Sequence, residues 1–279
     1  MRVCLLTDKP HHPLLAATSS ALIEAEHRVT FLNPDTGTGS PSELVIPDDL
    51  ADVYLLKAHT PRSLELARFL EAHGARVVNS AAATELCQDR SRIASVADGA
   101  GLPMPRTRTL DTLSESLHGA ERPESRYPLM VKSRHSRRAD LVARVDGPAE
   151  LRDLATKWPD EPVVLQEFVA NSGWDHKVWV IAGEVFAGVR PAPVGAPPDG
   201  AQPAPLVRDL PQAWTRLALH TGEVFGLDVY GVDLLDREGA PVVVDINAFP
   251  GIRGPKGAPA ALAALALRRP RPGPPAYGA

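Results

Sequence analysis

Short apolar runs alternate with longer helical patterns through the first hundred residues. Val3–Leu6, Val29–Leu32, Val53–Leu56 and Val77–Asn79 read as strands, and Leu14–Ala25 and Leu64–Ala72 as helices. Strands that take turns with helices predict a parallel sheet covered by helices, because parallel neighbours need a long crossover connection. Gly74 follows the second helix where a left-handed residue ends a helical run. Ala82, Leu86, Ile93 and Val96 continue at mostly helical spacing, and Gly99, Gly101, Pro103 and Pro105 then predict a boundary near Leu102–Arg106.

Beyond Tyr127 the period changes. Leu129–Val131 and Leu141–Val145 read as strands and Ala149–Lys157 as a helix, while Val163–Val169, Lys177–Ala182 and Val185–Val189 read as hairpin strands of a smaller α+β unit. Pro191–Pro211 is proline-rich and reads as a loop. Leu210–Phe225 returns to helix, and Val229–Leu235 and Val242–Ile246 to strand. The segment from Arg268 to Pro275 is almost entirely Arg and Pro and is expected to be disordered. The sequence contains no internal repeat.

Composition narrows the function. With 279 residues, 44% of them hydrophobic and 23% charged, the chain can bury a core. Its 30 basic and 34 acidic side chains give a net charge of −4, which offers no overall attraction to nucleic acid or an anionic membrane. Trp158, Trp174, Trp179 and Trp214 are not interleaved with basic residues as a stacking platform would be, and read as packing residues. Cys4 and Cys87 have no CxxC or Cys/His spacing and are expected as reduced, buried thiols. The opening Met1–Asp8 turns polar too early for a signal peptide, and no long apolar run follows, so a cytoplasmic protein is expected.

The strongest chemical signal lies in Gly231–Leu235 and Val242–Gly251. Two strands joined through Asp236-Arg237-Glu238-Gly239 would set Asp233 beside Asp245, and Asn247, two residues on, would project from the same face as Asp245. Two carboxylates and an amide oxygen form a hard-oxygen site suited to Mg2+, or Mn2+ in its place, with positions left for phosphate oxygens. An unpaired carboxylate at the end of Val242-Val243-Val244 would be costly to bury, which favours a functional role for Asp245.

At this point the chain resembles an ATP-grasp protein. Gly226–Asp233 with Asp245-Ile246-Asn247 and Pro250-Gly251 is similar to the metal-binding core of RimK-like alpha-L-glutamate ligases, where the run is usually Glu-Val-Asn; the wording Asp-Ile-Asn-Ala-Phe-Pro-Gly also resembles the inositol trisphosphate kinases. The resemblance spans roughly residues 80 to 255 and implies an α/β ATP-grasp fold. Its expected parts are an N-terminal Rossmann-like domain over 1–102, a central and lid subdomain over 103–186, a mixed-sheet metal-binding subdomain over 187–268 and a tail over 269–279. It implies ATP held by Arg90, by Lys132 at the end of Pro128–Lys132, by a hinge at Gln166-Glu167-Phe168-Val169, and by Asp175 and Lys177 in Gly173–Lys177. It places metal at Asp233, Asp245 and Asn247, with Lys177 and Arg190 in catalytic roles at the phosphates and the transferring group.

The function implied is carboxylate–amine ligation through an acyl phosphate, with a small-molecule or peptide carboxylate and an amine as substrates and oligomers common among relatives. A polyol kinase or a non-catalytic ATP-binding protein would use the same first half-site. The chain departs from the pattern twice. Ser133–Arg138 is basic where the family's lid loop is glycine-rich, and its cations would suit an anionic ligand; Pro191–Pro211 carries no Arg-Ser-Asn run. His11, His12 and His59 follow predicted strands, at the sheet edge where open α/β folds bind ligands.

Overall fold

The computed structural model describes residues 1–36, 39–40, 43, 45, 49–118, 126–137, 139–171, 173–191 and 210–268. Two units divide the chain: one joins Met1–Ala81 with the chain from Phe249 onward, the other is Ala82–Ala248.

In the first unit β1 (Arg2–Leu6), β2 (Arg28–Leu32), β3 (Val53–Leu56) and β4 (Val77–Val78) form a parallel sheet in the order β2-β1-β3-β4. The central strands β1 and β3 are buried on both faces, which is why they read as unbroken apolar runs. α1 (Pro13–Glu24) and α2 (Pro61–Ala72) both start with proline, whose missing N–H is no loss in a first turn, and Thr60 caps α2 by accepting from the Ser63 N–H.

A further helix, α8 (Ala258–Leu267), packs against α1. Its Ala-Leu sequence is apolar on every side, so it carries no amphipathic period to read, and it has to be covered. Arg76 donates to the carbonyl oxygens of Leu265 at 3.1 Å, Ala266 at 3.3 Å and Arg268 at 2.7 Å, and so helps to satisfy the acceptors at the end of the helix. Residues 249–268 therefore belong with the N-terminal unit and not with the expected 187–268 subdomain.

The other unit opens with α3 (Ala81–Leu86), whose Ala83 enters its core, and contains α4 (Arg90–Gly99). The expected boundary at 102 falls inside it, because Ile93, Ala97 and Leu102 share a core with Val178, Val180 and Phe225. One antiparallel sheet runs β5 (Thr107–Leu110), β8 (Val163–Glu167), β6 (Leu129–Ser133), β7 (Val142–Val145) and is packed by α6 (Pro148–Lys157), against which the short α5 (Glu115–His118) lies. Leu129, Val131, Val163 and Leu165 fill its core. Alternation turns Met130, Lys132, Val164 and Gln166 to the opposite face.

A second antiparallel sheet runs β10 (Glu184–Pro191), β9 (Trp174–Ile181), β11 (Val229–Arg237), β12 (Ala240–Ala248), with α7 (Gln212–Phe225) against its apolar face. The β9–β10 hairpin thus pairs with β11 and does not join the β5-β8-β6-β7 sheet: Val178 and Val180 need the same core that Val232 and Leu234 enter. The β11–β12 turn is the two residues Glu238-Gly239, with φ of 56° and 89°, the left-handed pair that a tight hairpin requires. Gly222 on α7 lies under Tyr230, and a Cβ there would overlap the ring. Residues 192–209 and 269–279, where the loop and the disordered tail were expected, lie outside the described residues.

Candidate active site

The two sheets of Ala82–Ala248 border a cleft of about 760 Å3, counting its solvent-open mouth. Arg90, Lys132, Gln166, Glu167, Phe168, Val169, Asp175, Arg190, Asp233 and Asp245 line it, so most of the residues singled out in the sequence meet at one place. Met130, Val142, Asn171, Leu235 and Val244 complete the lining.

Strand register explains the polar wall. Arg190 on β10 stands directly opposite Asp175 on β9, Lys177 on β9 opposite Asp233 on β11, and Asp233 opposite Asp245 on β12. Both Nε and Nη2 of Arg190 reach Asp175 Oδ2, at 2.7 and 2.6 Å, and Nη2 also reaches Asp233 Oδ2 at 3.3 Å. Lys177 Nζ lies 3.0 Å from Asp233 Oδ1; it adjoins the cleft through this pair and does not line it. Burial, reinforced by Asp175 and Asp245 and opposed by Lys177, pushes the Asp233 carboxyl up to about 6.

A β-bulge shapes the floor. After the Asp233–Asp245 pair the register jumps to Leu234–Val243, so Val244 and Asp245 together oppose Asp233. Val243 and Ile246 enter the core while Val244 and Asp245 both reach the cleft, which strict alternation would forbid. The Val244 carbonyl accepts from Lys132 Nζ at 2.9 Å, and the same ammonium donates to Gln166 Oε1 at 2.8 Å. Gln166 Nε2 in turn donates to Thr107 Oγ1 at 3.2 Å, so the whole amide is oriented. Burial lowers the Lys132 pKa against the pull of Asp245.

Arg90, at the start of α4, donates to the Ser133 carbonyl at 2.8 Å, to Asp140 at 2.6 Å and to Asp245 at 3.3 Å. Burial works against its charge, but Asp245 and Asp140 outweigh burial and raise its pKa. At the expected hinge, the Glu167 N–H donates to the Arg106 carbonyl at 2.9 Å and the Phe168 N–H to that of Pro128 at 3.3 Å, so these two donors are used within the unit. The Phe168 ring stacks under Arg144 at 4.3 Å.

The basic segment after β6 is arranged otherwise than expected. Arg134 forks onto Asp89, with Nε 3.1 Å from each carboxylate oxygen and Nη2 at 2.9 Å, and Arg137 pairs with Glu161 at 2.7 Å. Asp89 is also the N-cap of α4, accepting from the Ser91 and Arg92 N–H groups. Both arginines are thus spent on protein carboxylates, which tie the segment to α4 and to the residues before β8; Arg138 lies outside the described residues.

The donors fit a hard divalent cation. Asp233 and Asp245 face each other, Asn247 stands opposite Gly231 on the same strand face, and the buried Asp175 Oδ1 has no hydrogen-bond partner among the described residues. No cluster of three His, Cys, Asp or Glu there forms a metal cage of its own. Mg2+ is characteristically held by one or two carboxylates with phosphate oxygens filling the rest, which this set allows.

Known proteins resemble this chain in sequence and in fold. The model of the RimK-like ATP-grasp domain matches residues 88–263. The coenzyme gamma-F420-2:alpha-L-glutamate ligase of Methanococcus maripaludis is 24% identical over 199 residues, 69% of each chain. A probable alpha-L-glutamate ligase of Legionella pneumophila is 26% identical, covering 91% of this chain and 89% of its own. In structure, a RimK-domain ATP-grasp protein of Sphaerobacter thermophilus superimposes with a TM-score of 0.75 at 22% identity, over 96% of this chain and all of the other (100%). The D-alanine–D-alanine ligase of Bacillus anthracis gives 0.67 at 18% identity over 90% and 88%.

The architecture is therefore the ATP-grasp fold. The chain belongs to the RimK-like ATP-grasp family and is an ATP-dependent ligase that joins a carboxylate to an amine. The polyol kinase and the non-catalytic binder are not favoured. Among the described residues, no helix is long and apolar enough to cross a membrane.

Several cleft residues escaped the sequence. Met130 could have been found, since it shares a strand face with Lys132. Val244 could not, because nothing in Val242-Val243-Val244 marks the bulge; nor could Asp140, which does not line the cleft but holds Arg90 from a segment without periodicity.

Proposed function

We propose that the cleft binds Mg-ATP and that the ligation runs through an acyl phosphate of the carboxylate substrate. The observation that carries this reading is the convergence of Lys132, Arg90, Arg190, Asp233 and Asp245 on one cleft that also has an apolar wall of Met130, Val142, Leu235 and Val244. The apolar wall suits a purine ring and the cations suit phosphate oxygens. Lys132 and Arg90 neutralise phosphate charge, Glu167 and Asp175 orient the nucleoside, and Gln166, Phe168 and Val169 shape its seat. Lys177 holds Asp233 in place, while Arg190 lies where it can steady the transferring group. Asp233, Asp245 and Asn247 would hold Mg2+, or Mn2+, which supplies charge neutralisation between phosphate oxygens. Residues of this kind position and neutralise; the chemistry asks for little proton transfer from the protein.

The names of the glutamate ligases among the relatives support glutamate as the first amine to test, with a small-molecule or peptide carboxylate as its partner. The buried free thiols Cys4 and Cys87 accord with a reducing cytoplasm as the place of reaction. The test is incubation with Mg-ATP, pooled carboxylates and amines, with ADP, AMP and free phosphate quantified separately. ADP and equal free phosphate, formed only when both substrates are present, is the expected result; AMP would overturn the acyl-phosphate route.

A further inference from the structure

In the first unit the carboxyl ends of β1 and β3 lie side by side, with the N–H groups of Lys57 and Ala58 both donating to the Leu6 carbonyl, at 3.0 and 2.9 Å. The order β2-β1-β3-β4 reverses between these two strands, and open parallel sheets bind ligands at such switch points. The side chains gathered there are basic. Lys9 and His12 follow β1, Lys57 and His59 follow β3, and Arg253 comes from the returning segment; Lys57, Arg253 and Lys9 all lie within electrostatic reach of His12.

Asp8 brings a carboxylate to this edge: it pairs with Lys9 at 3.5 Å and acts electrostatically on Lys57 and His59, but makes no ion pair with Lys57, whose ammonium stands 6.0 Å from the Phe249 ring centroid. His12 Nδ1 and His59 Nε2 are shielded from solvent and have no hydrogen-bond partner among the described residues. His12 is also the N-cap of α1, with no side-chain cap bond, so the positive end of that helix points at the same place. Burial, with Lys57 adding to it, holds His59 down to about 4, and burial, with Lys9 adding to it, lowers Lys57. A desolvated cation and unpaired ring nitrogens cost free energy that a bound anion offsets.

We propose that Lys57, His12 and His59 form a binding site for a small carboxylate anion. The anion's identity as the acidic substrate rests on the ligation reading above; the site itself does not. One ammonium and two largely neutral imidazoles can each donate one hydrogen bond to a carboxylate, and inorganic phosphate is the competing anion that the test separates from it.

Isothermal titration calorimetry on the full chain, without nucleotide, tests this with acetate, glutarate, citrate and inorganic phosphate as probes. The wild type, Lys57→Met and His59→Gln are each titrated, and each is also titrated with ATP. The expected result is that a carboxylate binds the wild type, that either variant weakens it about tenfold or more, and that ATP affinity changes less than about twofold. His59→Gln serves alone if Lys57→Met does not fold. The site is overturned if no carboxylate binds, if phosphate binds better than every carboxylate, if both variants keep wild-type affinity, or if ATP affinity falls in parallel. Failure of the ligase reading would show separately, as wild-type protein that binds a carboxylate yet forms no ADP from Mg-ATP with any carboxylate and amine.

Discussion

Lys132 Nζ donates to the carbonyl oxygen of Val244 at 2.9 Å, a bond that links one sheet of the second unit to the bulged strand of the other. The ammonium is buried, and burial disfavours its charge, so it adds little to stability while presenting a cation to the cleft. Lys132→Met is expected to shift the melting temperature by only a few degrees and to weaken ATP binding about tenfold or more. Thermal melts and calorimetry check the two effects; a large loss of stability with unchanged ATP affinity would make the residue structural.

Asp245 faces Asp233 and also accepts from Arg90, which keeps Asp140 as a second partner. Asp245→Ala should therefore fold, with turnover reduced about a hundredfold or more because the metal loses a carboxylate. Phosphate release measures the rate. The additional thermal stabilisation that Mg2+ gives over ATP alone should also vanish, and wild-type turnover would remove Asp245 from the metal site.

The Asp89 carboxyl sits low for an identifiable reason. Burial would raise its pKa, but hydrogen bonds from Arg134, the Ser91 hydroxyl and the Ser91 and Arg92 N–H groups outweigh burial and hold it at about 2. A carboxyl depressed in the folded state stabilises above its unfolded value near 3.9, and that contribution is lost as pH falls from about 4 to about 2. Asp89→Asn should cost about 2 kcal/mol at pH 7, and the gap to wild type should close across that acidic window. Urea denaturation at a series of pH values reads this directly; a gap independent of pH would contradict it.

Gly222 leaves no room for a methyl group, since Tyr230 crosses over it and donates its hydroxyl to the Ala218 carbonyl at 2.9 Å. Gly222→Ala improves helix propensity, yet overpacking should win and destabilise the protein by about 1–3 kcal/mol. A Gly222→Ala, Tyr230→Phe double variant should not recover that loss, because the ring itself is in the way. Equal or higher stability in the single variant would refute the packing argument.

Much of this molecule was legible before folding. Apolar runs alternating with helical patterns marked β1 to β4 as strands of a parallel sheet, and the spacing of Asp233, Asp245 and Asn247 placed three oxygen donors on adjoining strands. The basic run Ser133–Arg137 was legible as charge and misleading as function. A sequence carries no sign that Asp89 and Glu161 will approach Arg134 and Arg137 from distant positions and consume them.

Element type, strand face and the chemical nature of the cleft were encoded locally, because hydrophobic period and turn chemistry act over a few residues. Four matters were decided by tertiary packing alone. α8 joined the N-terminal unit because an all-apolar helix goes wherever a surface covers it. The β9–β10 hairpin took its place beside β11 because Val178 and Val180 share that strand's core. The bulge that turns Val244 into the cleft arose from register between strands. Arg90 became the link between Asp140 and Asp245 only when residues 50 and 155 positions away were brought to it, and long-range pairing of that kind has no local signature.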